Sequence, residues 1–256
     1  MKDLFDLSGK TALITGASSG MGRAIAEAMG VHGARVIISS NDEQGCEAVL
    51  QDFEKKGIRA LAIPCDVSSE ADIEHLCKTA LQKAGKVDIL ASCVGIAPTG
   101  SLLDAEAADF EKTIQVNLQS AIHLTRLLLP PMQERKDGVF IYLASIAAVR
   151  GNKNIGLYGI SKAGLLQLAR NVAVESGPFN IRANTISPGM IDTPFSKNLL
   201  ENEGFMQKRL SLTPLRRVGT PEEIAGVAVM LASKAGAFIT GQNIVVDGGT
   251  VISDGN

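Results

Sequence analysis

The sequence predicts an α/β fold: one domain over residues 1–256, built as a doubly wound parallel sheet of about seven strands with helices on both faces. Three observations predict it. Short apolar runs alternate along the chain with longer segments of helical periodicity, the order that strand, crossover and strand require. The runs are near-continuous in Val, Ile and Leu, the mark of strands covered on both faces. A glycine-rich turn, Thr15-Gly-Ala-Ser-Ser-Gly-Met-Gly22, stands directly between the first apolar run and the first periodic segment.

The elements follow in order. Strand 11–15 contains the apolar run Ala12-Leu-Ile14, and helix 21–32 carries Met21, Ile25 and Met29 at four-residue intervals. Strand 35–39 holds Val36-Ile-Ile38, and Asp42 opens a helix over 42–56 with Cys46, Val49 and Phe53 on one face. Strand 59–63 precedes a helix over 69–83 whose apolar face is Ile73, Leu76, Cys77 and Ala80. Strand 88–92 contains Ile89-Leu-Ala91, and a single long helical pattern spans 106–132. Strand 138–143 contains Val139-Phe-Ile-Tyr-Leu143, helix 156–176 repeats Leu157, Leu165 and Leu168, and strand 181–187 follows. Helix 221–232 and strand 243–246, Asn-Ile-Val-Val, complete the alternation. The ligand site of such a sheet lies at the carboxyl ends of the strands, where strand order reverses.

The glycine turn is the order of elements a phosphate site needs. Gly16, Gly20 and Gly22 permit a sharp turn and close backbone approach, while Ser18, Ser19 and Met21 lead into a helix whose first N–H groups are free to meet a pyrophosphate. The spacing is G-x-x-x-G-x-G rather than the general G-x-G-x-x-G. Taken alone it is moderately specific, the lesser alternative being a tight turn with no ligand.

Tyr158 and Lys162 are four residues apart and so share one helix face. A free phenol titrates near pH ~10. A cation close by favours phenolate and lowers that value toward working pH, where acid–base exchange is efficient. A solvated pair on a helix surface is the bland reading. Ser145, thirteen residues upstream and just past an apolar strand, together with the glycine turn, favours the chemical one.

These motifs, with Asp66-Val67, Asp88-Ile-Leu90 leading to Gly95, Asn117, Pro188-Gly189 and Thr240 to Gly249, make the chain resemble the short-chain dehydrogenase/reductases from about Leu7 to Gly249. The resemblance implies a Rossmann-type fold whose seventh strand is Asn243 to Val246, and an NAD(P)-dependent exchange of hydride between a small-molecule ketone and a secondary alcohol. It implies Tyr158 as general acid or base and Ser145 as hydrogen-bond donor to the substrate oxygen. Lys162 then tunes Tyr158 and holds the nicotinamide ribose, and Asn117 anchors a water that relays protons from Lys162. Read from its residues alone, Asn117 is a polar side chain disturbing a long helical pattern. Asp66 and Val67 match the adenine-holding pair, and Asp66 also suits a cap for the helix near Ser69. The segment Pro188, Gly189, Ile191 and Thr193 matches the one that holds the nicotinamide carboxamide. The family's usual Asn-Asn-Ala-Gly is Ser92-Cys-Val-Gly95 here, so only Gly95 is retained; Cys93 is read as a small packing residue along the cofactor channel. A non-catalytic nucleotide-sensing or scaffolding relative is the alternative. The intact Asn117, Ser145, Tyr158 and Lys162 argue against it.

NAD or NADP is decided at the end of the second strand, which reads Ser39-Ser-Asn-Asp42. Ser40 stands where NAD users often carry Asp, and Asn41 where many NADP users carry Arg. With no cation there and Asp42 close by, the reading leans to NAD. Asp42 serves equally as a helix N-cap.

Other classes fit less well. A net charge of −2 with dispersed Lys and Arg disfavours nucleic acid, and the absence of any long apolar run disfavours a membrane span. With no apolar stretch near Met1, a cytoplasmic location is expected. Cys46, Cys65, Cys77 and Cys93 lack metal or disulfide spacing, and His32, His75 and His123 lack any H-E-x-x-H, so no metal is expected. There is no G-x-S-x-G elbow for a hydrolase. A homotetramer is expected, with helices 106–132 and 156–176 and the last strand at its interfaces. Residues 192–214 are expected to be a mobile lid over the cofactor, carrying Phe195, Leu199, Leu200, Phe205 and Met206; a helical pair packed on the body is the alternative.

Overall fold

The computed structural model describes residues 4–253. The apolar runs become β1 (Thr11–Thr15), β2 (Arg35–Ser39), β3 (Ala60–Ala62), β4 (Ile89–Ser92), β5 (Gly138–Leu143), β6 (Ile181–Pro188) and β7 (Asn243–Val246). They form one sheet in the order β3-β2-β1-β4-β5-β6-β7, with every pairing parallel. The helices are α1 (Gly20–Val31), α2 (Glu43–Lys55), α3 (Glu70–Ala84), α4 (Ala107–Ile114), α5 (Ser120–Arg135), α6 (Gly156–Ser176), α7 (Lys197–Leu200), α8 (Glu203–Ser211) and α9 (Pro221–Ala232).

Because side chains alternate along a strand, each run feeds two cores. Ile14, Val36, Ile38, Ile89 and Ile141 face α1, α2 and α9, where Ile25, Phe53 and Ile224 meet them. Leu13, Ile37, Leu90, Phe140 and Tyr142 face α3, α5 and α6, where Leu76, Leu124 and Leu165 meet them. A double-sided core is why these strands read as unbroken apolar runs. Helix starts are set locally: Asp42 accepts from the Gly45 N–H at 2.9 Å, and Ser69 from the Asp72 N–H at 3.2 Å.

Two features differ from the sequence reading. The single helix expected over 106–132 is α4 and α5 joined by a π turn, Gln115–Gln119, and α5 continues to Arg135. A π turn inserts an extra residue into the helical register and marks functional positions; here Asn117 sits at its centre. Residues 192–214 form two short helices, α7 and α8, where the sequence reading placed no regular element; a capping box at Thr193 opens the turn before α7, and Asn202 opens α8 by accepting from the Phe205 N–H at 3.0 Å.

β2 and β3 extend from one side of β1 and β4 from the other, so strand order reverses between β1 and β4. The crevice at their carboxyl ends is where such sheets bind ligands. The glycine turn and Cys93 to Gly95 both line it.

Candidate active site

A cavity of about 590 Å³ occupies that crevice. Its floor is the glycine turn. Gly16 has φ of +67° and Gly20 of +53°, conformations that favour glycine, and a Cβ on Gly22 would lie 2.1 Å from the Gly16 carbonyl oxygen. Ser19 precedes α1 without capping it through its side chain, and the first turn of α1 has no acidic residue. The helix N-terminus thus keeps free N–H groups and its partial positive charge for an anion. Gly16, Ser18, Ser19, Gly20, Met21 and Gly22 all line the cavity.

At the far end, Ser40, Asn41, Asp42, Asp66 and Val67 line it as the sequence leads one to expect. Ser18 Oγ donates to Ser40 Oγ at 3.0 Å, fixing the rim. Asp42 caps α2, whereas α3 is capped by Ser69 and Asp66 accepts from the Ser68 N–H and hydroxyl at 2.9 and 2.8 Å. Lys112 also lines the cavity and was not among the expected residues; α4, which carries it, bears no motif.

The opposite end is built on α6. Lys162 is 3% exposed, and its Nζ donates to the carbonyls of Leu143 at 2.9 Å and Val94 at 3.2 Å, 5.8 Å from the centroid of the Tyr158 ring. A Cβ on Gly95 would stand 2.9 Å from that Nζ, so Gly95 is required for the lysine to reach this place. Burial lowers the Lys162 pKa to about 8. Ser145, just past β5, stands near the Tyr158 hydroxyl and favours its phenolate. Burial outweighs that effect and holds the phenol above its ordinary pKa. The lowering expected from the Tyr-Lys spacing is therefore not met in the protein alone, because desolvation of a buried phenolate is the larger effect.

Asn117 stands behind this group. Its Oδ1 accepts from the Ile96 N–H and its Nδ2 donates to the Ile96 carbonyl, both at 2.8 Å, and Nδ2 also reaches Ser161 Oγ at 2.9 Å. Ser161 in turn donates to the Tyr158 carbonyl at 2.8 Å. Asn117 thus ties the turn after β4 to the first turn of α6, which explains a buried Asn in the middle of a helical pattern. The turn after β4 is tied to the end of β1 by Thr15, whose hydroxyl accepts from the Cys93 N–H at 3.3 Å. Cys93 lines the cavity, and burial pushes its thiol up to about 12.

Thr193, Pro194 and Phe195 close the side, with the Phe195 and Tyr158 ring centroids 6.4 Å apart. Thr193 lies against Gly20, across the cavity. Pro188, Gly189 and Ile191 do not line the cavity; they form the support behind Thr193, where a Cβ on Gly189 would meet Asp247 Cα at 2.8 Å. Ser145 and Asn117 likewise touch it only through Tyr158 and Gly95. Val94, Ile96 and Leu143 line it without having been singled out in the sequence; they are ordinary apolar residues at strand ends, and only the fold brings them there.

A family model described as Enoyl-(Acyl carrier protein) reductase matches residues 16–251. The 7alpha-hydroxysteroid dehydrogenase of Escherichia coli is 38% identical over 249 residues, covering 97% of each chain. The chain belongs to the short-chain dehydrogenase/reductase family. Two solved structures bear out the fold. A 7alpha-hydroxysteroid dehydrogenase complexed with NADH and 7-oxo glycochenodeoxycholic acid superposes with a TM-score of 0.94 at 37% identity over 97% of both chains. A gluconate 5-dehydrogenase from Burkholderia cenocepacia, in complex with NADP and tartrate, superposes with a TM-score of 0.95 at 27% identity over 98% of this chain and 99% of that one. As a short-chain dehydrogenase/reductase, the protein is an NAD(P)-dependent oxidoreductase. Its cavity fits that role: a glycine turn with no room for a Cβ at Gly22 at one end, and Tyr158 with the buried Lys162 at the other. Among the described residues, no helix is long and apolar enough to cross a membrane.

Proposed function

We propose that the protein interconverts a small-molecule ketone and the corresponding secondary alcohol, with Tyr158 as general acid and base. The observation that carries this reading is Tyr158 at the end of the crevice away from the phosphate cradle, its ring centroid 5.8 Å from the Nζ of the buried Lys162, with Ser145 near its hydroxyl. When bound, the nicotinamide supplies or accepts the hydride. Tyr158 gives its proton to the carbonyl oxygen during reduction and recovers it during oxidation. Ser145 donates to the same oxygen as charge develops there. Lys162, held by two carbonyls, orients this end of the cavity; Gly95 leaves it room, and Asn117 ties the turn after β4 to α6. Phe195 covers Tyr158 and limits water at the proton-transfer site. A panel of ketones and secondary alcohols, assayed with both reduced and both oxidised cofactors, tests the reading; turnover of none of them by folded, cofactor-binding protein would refute it.

NAD is the preferred cofactor under this reading. Residues 39–42 offer two hydroxyls, an amide and the Asp42 carboxylate but no cation for a 2′-phosphate. Asn41→Arg is expected to shift preference toward NADP. A wild-type kcat/KM about tenfold better with NADPH would rule the assignment out.

The protein assembles as a cytoplasmic homotetramer in this proposal. Ile122 on α5, and Ile160 and Val174 on α6, are exposed apolar side chains, Val174 at 80%. Phe238 and Val245 form a second such surface around β7. These exposed apolar side chains are where the proposal places the subunit contacts. Light scattering at micromolar protein should return four times the chain mass; a monomer mass would dismiss the assembly.

A further inference from the structure

The helix that carries Tyr158 starts weakly. α6 opens with Gly156-Leu-Tyr-Gly159, and its two glycines are poor residues for a helix. Ile155 before it offers no side chain to cap the first N–H groups, and the first turn has no acidic residue. Gly159 is fixed by space: a Cβ there would stand 2.9 Å from the Ala147 carbonyl oxygen, in the short turn Ile146–Ala148 that follows Ser145. The first turn of α6 therefore depends on contacts from outside the helix.

Ser161 is placed to supply one. It is fully buried within α6, where alanine would be the better helix former, so the hydroxyl is what the position uses. That hydroxyl donates to the Tyr158 carbonyl at 2.8 Å and accepts from Asn117 Nδ2 at 2.9 Å. Asn117 is itself clamped to both backbone groups of Ile96 at 2.8 Å. Close by in the same turn, the Val94 carbonyl accepts from Lys162 Nζ at 3.2 Å. The turn after β4 is thus a common anchor, which holds the lysine directly and the tyrosine backbone through Asn117 and Ser161.

We propose that Ser161 is a positioning residue, whose hydroxyl bridges Asn117 to the Tyr158 backbone and keeps the first turn of α6 where the Tyr158 hydroxyl meets the substrate oxygen. This rests on the carbonyl–alcohol reading for the reaction and on the hydrogen bonds above for the placement. Ser161 does not line the cavity, so its effect passes through Tyr158. Without the hydroxyl, one Asn117 donor is left buried and unpaired, and the glycine-rich turn loses its tether. Displacements of ~1 Å cost on the order of 10²-fold in steps that depend on near-attack geometry.

The test is Ser161→Ala. Its kcat should fall about tenfold or more in both directions. NADH affinity, read by fluorescence titration, should stay within about twofold of wild type, since the phosphate cradle lies at the other end of the cavity. The chain has two tyrosines, Tyr158 and Tyr142. Tyr142 is fully buried in the core with its hydroxyl 2.8 Å from Thr125 Oγ1, and serves as an internal reference. With ring-labelled tyrosine, the NMR signal of Tyr158 should shift or broaden in Ser161→Ala while that of Tyr142 stays in place. Ser161→Cys, of nearly the same size but a weaker donor, should fall between alanine and wild type, and it carries the same comparisons if Ser161→Ala does not fold. An unchanged kcat would overturn the proposal, as would an unmoved Tyr158 signal. Equal changes at both tyrosines, or NADH affinity lost in step with kcat, would also overturn it and assign Ser161 to general stability. A displaced Tyr158 signal in a protein that turns over no ketone or alcohol would support the placement and remove the carbonyl reading.

Discussion

Tyr158→Phe is expected to abolish turnover while leaving cofactor binding intact. The substitution removes one oxygen and keeps the ring that lies 5.8 Å from Lys162 Nζ and 6.4 Å from the Phe195 ring, so the cavity wall is preserved. What is lost is the transferable proton. A positioned acid or base contributes ~10²–10⁴-fold, so activity should fall below a few per cent of wild type; Ser145→Ala should cost on the order of 10² or more through loss of its hydrogen bond. The direction of the Tyr158 shift adds a pH signature. Burial holds the phenol above its ordinary value, so it is protonated throughout the neutral range and ready for reduction. Oxidation requires the phenolate. The oxidative rate should therefore climb as pH rises into the alkaline range, while the reductive rate stays level around neutrality and falls only there. Steady-state rates of both variants and pH profiles in both directions check this. More than a few per cent activity in Tyr158→Phe would remove Tyr158 from the chemistry, and an oxidative optimum on the acidic side of neutral would show that Lys162 outweighs burial.

The strands were legible because both of their faces are buried. β1, β2, β5 and β7 begin and end at the residues expected for them, and β3, β4 and β6 differ by a residue at one or both ends. The site motifs were legible because each demands a residue type that no other chemistry supplies: glycine at 22 for lack of space, Tyr and Lys on one helix face. What escaped depended on distant contacts. The π turn at Gln115–Gln119 has no propensity signal, since Asn117 is satisfied by the backbone of Ile96, twenty-one residues away in sequence. α7 and α8 are short and mostly polar, too brief for periodicity to show, though Asn202 and the Thr193–Ser196 box are start signals of the usual kind. The Tyr158 shift was misjudged for a similar reason. Spacing reveals a neighbouring charge, whereas burial is a property of the assembled fold, and at this residue burial prevails.

Gly22→Ala is expected to destroy cofactor binding and to destabilise the fold, although it adds a single methyl group. The new Cβ would lie 2.1 Å from the Gly16 carbonyl oxygen and 2.7 Å from its carbon, both backbone atoms. No rotamer change relieves such a contact, so either α1 or the turn must move. α1 cannot move freely, because Ile25 and Met29 are fully buried against the sheet. The turn has to give, and with it the Gly16 and Gly20 conformations that shape the phosphate cradle. Overpacking of this kind costs ~1–3 kcal/mol even where side chains can adjust, and affinity for the dinucleotide should drop about tenfold or more. Gly226→Ala provides the contrast. Gly226 lies within α9, its φ is not positive, and nothing stands within 4 Å of a Cβ built there. Alanine is favoured over glycine inside a helix by ~0.5–1 kcal/mol, so Gly226→Ala should melt slightly higher than wild type with unchanged cofactor affinity. Thermal melts and fluorescence titrations with NADH on both variants decide the matter. If Gly22→Ala bound NADH as tightly as Gly226→Ala, the glycine turn would not be the phosphate cradle.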